Sequence, residues 1–493
     1  MLGVTLLIAE GAAGAYDQKV HVYLSQRAYG GPKTVAADPT QATAVAALRE
    51  RVWHAGAEAK DPELKRRFLA RYPTLAAFDT WSWKRFLGLN VDQTVAGLDD
   101  TPLPGGTDGA AVYALASRLV DDDGRNRERL RHDDARKVVI GPYKEPLPED
   151  PATLEMGALT GLSSQAHAHY QLPLLTFSDD PAVLKKDPRR FAVPPTVHTF
   201  GAEYAELYTE LAMLAQRLPA GERVMLTHAG ASAHHIEDVA NQIHAVQVGV
   251  YDFFVDAKIE SLKEELRSVG GLLRSRPSFV TIGINIIKNH HTLTEALYEK
   301  HLLTPGDPVA KLSASTPIDP AFNSDLAKIR GGCEPGFARA IVMALADRSS
   351  VEGPEVYARV RAVADRRYSR VGEEFDGDPD AALRPNADLT AFYALEAAGA
   401  RRSDLALDGW WRRFNACAEA GPEVEARFAE ALVRDRLNAL DAMEARQKAW
   451  TPKPPDHEQI NYWVPVGYLV ALSLAVWLAR TIARRRARRA GRA

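Results

Sequence analysis

Apolar residues recur at helical spacing along most of the chain. Residues 201–218 and 424–450 are clear examples, because good helix formers such as Ala, Leu, Glu and Arg dominate both segments. Strand signals are few. The best of them, residues 278–287, also fits the start of a buried helix. The pattern therefore predicts an all-α architecture.

A second hydrophobic pattern lies near the C-terminus. Residues 460–479 form a run of 20 residues without a charge, which is long enough to cross the hydrocarbon core of a bilayer. Residues 480–493 carry seven arginines and no acid, so the positive-inside rule places them in the cytoplasm. A buried core helix is the alternative, but the basic tail argues against it. We expect a single-pass membrane protein whose bulk is extracytoplasmic, with residues 451–459 as a stiff stalk.

Such an orientation requires export, and residues 1–15 have some features of a signal peptide. A short apolar run precedes Ala13-Gly14-Ala15, an A-x-A cleavage pattern, so cleavage would make Tyr16 the first residue. The segment lacks a basic start and contains Glu10. A different start, or no signal peptide at all, is therefore the alternative.

Composition sets further limits. The 493 residues are 46% hydrophobic and 25% charged, enough for one large or two ordinary globular domains. Only Cys333 and Cys417 are present, which excludes a disulfide framework and a cysteine-rich zinc site but allows one disulfide. Net charge is −3, or about −10 without the seven tail arginines, which argues against nonspecific attraction to polyanions.

Candidate chemistry is concentrated in residues 233–246, "AHHIEDVANQIHAV", which hold three histidines and two carboxylates. In a helix, His234 and Asp238 stand one turn apart on the same face, so one cation could take both. In a continuous helix, His244 would lie roughly 80° around the helix axis from His234 and about 15 Å further along it, where it would bind a neighbouring ion. The alternative interpretation is a polar helix face with surface histidines.

Three other places have ligand-type residues. His291 and Glu295 are four residues apart in a segment of high helix propensity. His21 follows the expected new N-terminus, and Glu155 lies upstream of His167 and His169. Taken singly, each also fits a surface or core histidine.

Together these segments resemble the zinc-dependent phospholipase C family and the single-strand-specific nucleases that share its all-helical fold. The family signature is similar to His-Tyr-x-Gly-Asp-x-x-x-Pro-x-His-Ala, and the chain matches it at His234, Asp238, His244 and the alanine that follows. The resemblance covers about residues 16–300. It is specific only in the signature, and elsewhere it rests on the order of the ligands.

The resemblance implies up to three Zn²⁺ ions. The ligands implied for the first ion are Glu155, His169, His234 and Asp238. Those implied for the second are His244, His291 and Glu295. The third would be held by His21, by Asp238 as a bridge, and by the free amino group of residue 16.

The chain also departs from the family pattern. Glu155 stands where the family usually has Asp, and its spacing to His167 leaves that residue as an alternative to His169 as ligand. Gln242 replaces the signature proline. His244 and His291 are 47 residues apart, which implies an insertion.

The implied function is a membrane-anchored zinc-dependent phosphodiesterase, a phospholipase C-type hydrolase that uses zinc-activated water on phospholipid headgroups. Glu155 and Asp238 are the expected catalytic residues, with Glu155 orienting or deprotonating the water and Asp238 bridging two ions. The alternatives are a single-strand-specific nuclease and a catalytically degraded, membrane-anchored binding module. The implied zinc domain covers residues 16–305, and residues 306–450 form a helical region of unknown role.

Overall fold

The protein is described here by a computed structural model that covers residues 18–36, 41–88, 106–122, 169, 171, 200–245, 293–303, 320–329, 332–363 and 387–449. Its α-helices are α1 (Gln18–Arg27), α2 (Gln41–Ala57), α3 (Pro62–Arg71), α4 (Thr80–Phe86), α5 (Gly109–Asp122), α6 (Gly201–Ala215), α7 (Glu222–Ala240), α8 (293–302), α9 (Pro320–Ile329), α10 (Phe337–Val363), α11 (Ala387–Glu419) and α12 (Pro422–Ala449). Short 3-10 helices occupy Leu75–Ala77 and Gln242–His244.

The all-α prediction is confirmed for these residues. The β-type pairing among the described residues is one isolated antiparallel bridge, between Thr34 and Asp108. The helices predicted at 201–218 and 424–450 are present as α6 and α12. Across the described ranges, no helix has the length and apolar character needed to span a membrane. The predictions for residues 1–15, 278–287 and 451–493 lie outside the described residues.

Helices α6 and α7 form a hairpin at the centre of the fold. Every side chain of α7 from Arg223 to Ala240 is buried, because α1, α5, α6, α10 and α11 all pack against it. A helix buried on all sides has no solvent-facing stripe for its polar residues. The polar groups of α7 must therefore find their partners inside the protein.

Close approach of α5 to α7 depends on Gly230. A Cβ atom at this position would lie 2.4 Å from the backbone oxygen of Tyr113 and 2.8 Å from the Cβ of Ala116. Both distances are too short for a side chain, so only glycine permits this helix contact. The contact brings Ser117 of α5 alongside the C-terminal half of α7.

A short chain of hydrogen bonds connects α6, α7 and α11. The hydroxyl groups of Thr209 and Ser232 lie 2.8 Å apart, and Ser232 also donates to the backbone oxygen of Ala205 at 2.9 Å. The indole nitrogen of Trp410 donates to Thr209 at 2.9 Å. Because all these groups are buried, the bonds hold the three helices in one register.

The helices on either side of residue 305 share one hydrophobic core. Phe68, Trp83 and Leu211 belong to the same buried cluster as Trp410 and Leu432. Helix α12 packs against α2, α3 and α6, and α10 packs against both α6 and α7. The late helices thus complete the core around the central hairpin.

Cys333 and Cys417 form a disulfide, which realises the one pairing that the cysteine content allows. It ties the segment before α10 to the C-terminal part of α11. The first turn of α10 is held by Glu206 of α6, whose carboxylate accepts hydrogen bonds from the backbone N–H groups of Ala338 and Arg339 at 2.9 and 3.0 Å. An acidic side chain at this position also suits the positive end of the α10 dipole.

We expect the disulfide to contribute strongly to stability, because it closes a loop of 84 residues in the unfolded chain. The double substitution Cys333→Ser and Cys417→Ser should lower the free energy of unfolding by about 2–4 kcal/mol. Thermal unfolding with and without a reducing agent tests this. The parent should lose stability on reduction and the double variant should not, whereas a parent indifferent to reductant contradicts the expectation.

Glu210 gives a second stability prediction. It is buried in α6, its Oε1 has no hydrogen-bond partner within the described part of the chain, and burial raises its pKa well above the usual range. A raised folded-state pKa means that stability is fully present below about pH 4.5 and is lost as the pH rises through the folded-state value. Glu210→Gln should therefore match the parent at pH 4.5 and exceed its stability at pH 8, by about 1.4 kcal/mol for each pH unit between pH 4.5 and the folded-state pKa.

Thermal melts of both proteins from pH 4.5 to 8 measure this difference. Glu206→Gln is the matched control, because Glu206 is equally buried in α6 but accepts three backbone N–H groups. That variant should be less stable than the parent. Equal pH dependence of Glu210→Gln and the parent would show that the carboxyl group is not held neutral.

Candidate metal centre

The C-terminal turn of α7 sets the geometry of the site. His234 and Asp238 stand one turn apart, with His234 Nε2 3.2 Å from Asp238 Oδ2, as their spacing predicts. The helix ends at Ala240, and Asn241 takes an extended conformation in which its side chain accepts a hydrogen bond from the Ile243 N–H. The expectation that His244 continues the same helix is wrong, because a 3-10 turn carries this residue instead.

His169 joins this pair from a distant part of the sequence. Its Nδ1 lies 2.6 Å from Asp238 Oδ2 and 2.9 Å from His234 Nε2. The three atoms therefore form a triangle with sides of 2.6, 2.9 and 3.2 Å. Donor atoms of a tetrahedral zinc site, with bonds of about 2.0–2.1 Å, lie roughly 3.3 Å apart, so the His234–Asp238 distance matches that spacing and the two distances to His169 are shorter.

Hydrogen bonding alone does not explain the triangle. If His169 Nδ1 and His234 Nε2 both carry protons for the carboxylate, two donors face each other at 2.9 Å. If one of them lacks a proton, its lone pair faces the anionic oxygen of Asp238. A cation that accepts a lone pair from all three atoms accounts for every contact at once.

Electrostatics also favours a cation. Burial lowers the pKa of His234 to about 3 and that of His235 well below the usual range, so both rings are neutral at pH 7. Burial opposes ionisation of Asp238, but the adjacent His234 and His169 outweigh it and hold the pKa of that carboxyl well below its usual range. An ionised carboxylate at this depth is a buried charge that needs compensation from a cation or from hydrogen-bond donors.

His235 belongs to the same group, although the residue pattern did not predict it as a ligand. One ligand atom from each of His169, His234, His235 and Asp238 can be chosen so that all four lie within 4.8 Å of one another. The His235 ring stacks on Tyr208 with an angle of 9° between the planes, and neither ring nitrogen has a hydrogen-bond partner among the described residues. The double histidine before Asp238 was the only sequence signal for it.

His21 of α1 reaches the other oxygen of the aspartate. Its ring stacks on His234 at 4.1 Å between centroids, and its Nε2 lies 3.4 Å from Asp238 Oδ1. Its Nδ1 lies 2.6 Å from Glu237 Oε2. Burial raises the pKa of Glu237, and the hydrogen bonds from His21 and two serines oppose that rise. The two oxygens of Asp238 thus have different neighbours: His21 lies near Oδ1, and His169 and His234 lie near Oδ2.

His244 is fixed by the backbone near His169. Its Nδ1 donates to the backbone oxygen of His169 at 3.2 Å, and the backbone N–H of Gln171 donates to the backbone oxygen of His244 at 3.1 Å. Since a carbonyl oxygen only accepts, the Nδ1 of His244 carries the proton and its Nε2 carries the lone pair. That is the tautomer which a metal ligand requires.

The turn that carries His244 is held by Gln242, the residue at the proline position of the signature. Its amide nitrogen donates to Glu352 Oε2 at 2.9 Å and to the backbone oxygen of Leu395 at 2.7 Å, and Tyr298 of α8 donates to its amide oxygen. Arg402 holds Glu352 in turn, at 2.8 Å. Helices α8, α10 and α11 therefore converge on this turn.

The remaining predicted ligands divide into two sets. Glu295 is buried in α8, and α8 packs against the His244 turn through Leu293, Leu297 and Ile243. Glu155, His167 and His291 lie outside the described residues, as does Tyr16. Five predicted ligands, His21, His169, His234, Asp238 and His244, therefore lie on segments that meet at the end of α7.

No known protein family, characterised protein or solved structure matches this chain.

His235 can be tested as a ligand by His235→Phe, which keeps a flat ring against Tyr208 and removes both nitrogens. We expect the variant to fold and to bind Zn²⁺ about 10-fold or more weakly, because one of the donor atoms is lost. Competition with a fluorescent zinc chelator measures the affinity. His228→Phe is the matched control, because His228 is also buried on α7 and stacks on the same tyrosine. Equal zinc affinity in the His235 variant and the parent would make His235 a core residue.

Proposed function

We propose that this protein is a zinc-dependent hydrolase that cleaves phosphodiesters. The observation that carries the proposal is the placing of Asp238, a fully buried carboxylate with His169 and His234 against one oxygen and His21 against the other. The ligand order that resembles the phospholipase C family supports the same reaction class. The described residues bring part of that ligand set together at one buried point.

The donor chemistry favours zinc over the hard cations. Imidazole nitrogens dominate the group, and Mg²⁺ and Ca²⁺ prefer sites made of oxygen ligands. When bound, zinc ions lower the pKa of water to about 7 and stabilise negative charge on phosphoryl oxygens. We propose that the chain holds up to three such ions, with Glu155, His291 and Glu295 completing the ligands that the described residues provide.

The residues of the chain then have separate tasks. His169, His234 and His244 hold their rings in fixed orientations through buried contacts, so little rearrangement is needed on metal binding. Asp238 would hold cations at both of its oxygens, as the resemblance implies for a bridging carboxylate. Glu155 is proposed as the carboxylate that orients or deprotonates the attacking water.

A phospholipid is the proposed substrate. The acidic charge of the chain without its arginine-rich tail disfavours polyanions such as nucleic acid. The apolar run at residues 460–479, followed by that tail, would hold the site near a lipid surface. Hydrolysis of single-stranded nucleic acid is the other outcome to be tested.

The full chain should be purified and its bound metal measured by elemental mass spectrometry, alongside hydrolysis of phosphatidylcholine vesicles and single-stranded DNA. We expect at least two zinc ions per chain and release of phosphocholine. Chelation should abolish this release and added zinc should restore it. DNA cleavage instead would assign the nuclease activity, and bound zinc without either activity would favour a binding module. No bound metal after zinc addition would refute the proposal.

Asp238→Asn tests the bridge directly, because it removes charge from both ion positions while keeping the shape of the side chain. We expect loss of at least one zinc ion per chain and a fall in hydrolysis of at least about 100-fold. Asp435→Asn is a control, since Asp435 pairs with Arg339 away from the cluster. Full zinc content and full activity in Asp238→Asn would contradict a bridging role.

A further inference from the structure

Glu237 lies next to Asp238 on α7 but points into a separate buried network. Its Oε2 is 2.6 Å from His21 Nδ1 and accepts a hydrogen bond from Ser117 at 3.0 Å. Its Oε1 accepts from Ser25 at 2.7 Å. The four side chains come from α1, α5 and α7, and all are fully buried. The signature has glycine at this position, so the resemblance assigns Glu237 no role.

The hydrogen bonds determine which nitrogen of His21 carries the proton. To bind a metal ion, His21 must be a neutral imidazole, which has one N–H and one lone pair. Because both serines donate to the carboxylate, it acts as an acceptor, and the proton of His21 is therefore placed on Nδ1. The lone pair is then on Nε2, the atom that faces Asp238 Oδ1 at 3.4 Å. Histidine ligands of metals are commonly oriented by a carboxylate in this way.

Asp238 Oδ1 provides an independent observation. This oxygen is buried and has no hydrogen-bond partner in the part of the chain that the structure describes. An ionised oxygen in such a position is costly unless a cation or a donor satisfies it. With His21 in this neutral form, its Nε2 and Asp238 Oδ1 face each other as two electron-pair donors, at the oxygen that His169 and His234 do not contact.

We propose that Glu237, supported by Ser25 and Ser117, is the positioning residue that makes His21 a ligand for a cation bound between His21 Nε2 and Asp238 Oδ1. The inference rests on the proposed zinc centre and adds to it a residue that touches neither metal nor substrate. Glu237 acts through the tautomer and orientation of His21. Both of its oxygens are engaged by His21 and the serines, so its role is to orient His21.

The test is a zinc titration of the metal-free full chain, with stoichiometry and affinity read by calorimetry. Glu237→Leu removes both acceptors, so we expect one ion fewer per chain than in the parent. Glu237→Gln keeps a carbonyl oxygen for His21 and should retain that ion with about 10–100-fold weaker affinity. The remaining ions should bind with unchanged affinity in both variants. Glu210→Gln, at a buried glutamate of α6 whose charged neighbours are Glu206, Asp435, Arg339 and Arg436, should titrate as the parent does.

A double variant with smaller changes keeps the test decisive if Glu237→Leu does not fold. Ser25→Ala with Ser117→Ala leaves the contact between His21 and Glu237 but removes its support, and should weaken the same ion while near-ultraviolet circular dichroism stays native. Parent-like stoichiometry and affinity in all folded variants overturn the proposal while leaving the zinc hydrolase intact. A parent that binds a single ion also overturns it. A parent that binds none overturns both.

Discussion

A carboxylate buried at the end of a fully enclosed helix constrains the rest of this structure. Asp238 cannot reach solvent, because α7 is surrounded on every side. An isolated buried charge is costly, so the fold must supply compensation from neighbouring elements. Three histidines contact Asp238: His21 of α1, His169, and His234 one turn earlier on α7. The cost of burying this charge explains why such distant parts of the chain meet at this point.

Close helix packing is what allows these partners to reach the aspartate. Gly230 lets α5 approach α7, and that approach places Ser117 against Glu237. Glu237 in turn holds His21. A larger residue at position 230 would separate α5 from α7. It would thereby disturb the hydrogen bonds of Glu237, although Glu237 lies two helical turns from position 230. The packing of α5 against α7 therefore also determines how the candidate ligand His21 is oriented.

The sequence predicted the parts of the site that depend on local geometry. The four-residue spacing of His234 and Asp238 was sufficient to predict that their side chains lie together, because a helix places residues four apart on the same face. The continuous helix through His244 was wrong, since the extended backbone at Asn241 was not visible in the residue pattern. His235 and Glu237 were missed for a different reason. Their significance comes from Tyr208, His21 and the serines, which only the tertiary structure brings near them.

The helices beyond residue 305 also belong to this argument. A proline at position 242 would stiffen the turn before His244 by fixing its own backbone. Gln242 lacks that restriction, but Glu352 of α10, the Leu395 carbonyl of α11 and Tyr298 of α8 all hold its side chain. Hydrogen bonds from α8, α10 and α11 to Gln242 thus restrain this turn in place of the pyrrolidine ring of a proline. Because α10 and α11 also share the main core with α6 and α7, their displacement would release His244 as well as expose apolar surface. The helical region that the sequence left without a role is therefore a structural part of the candidate site.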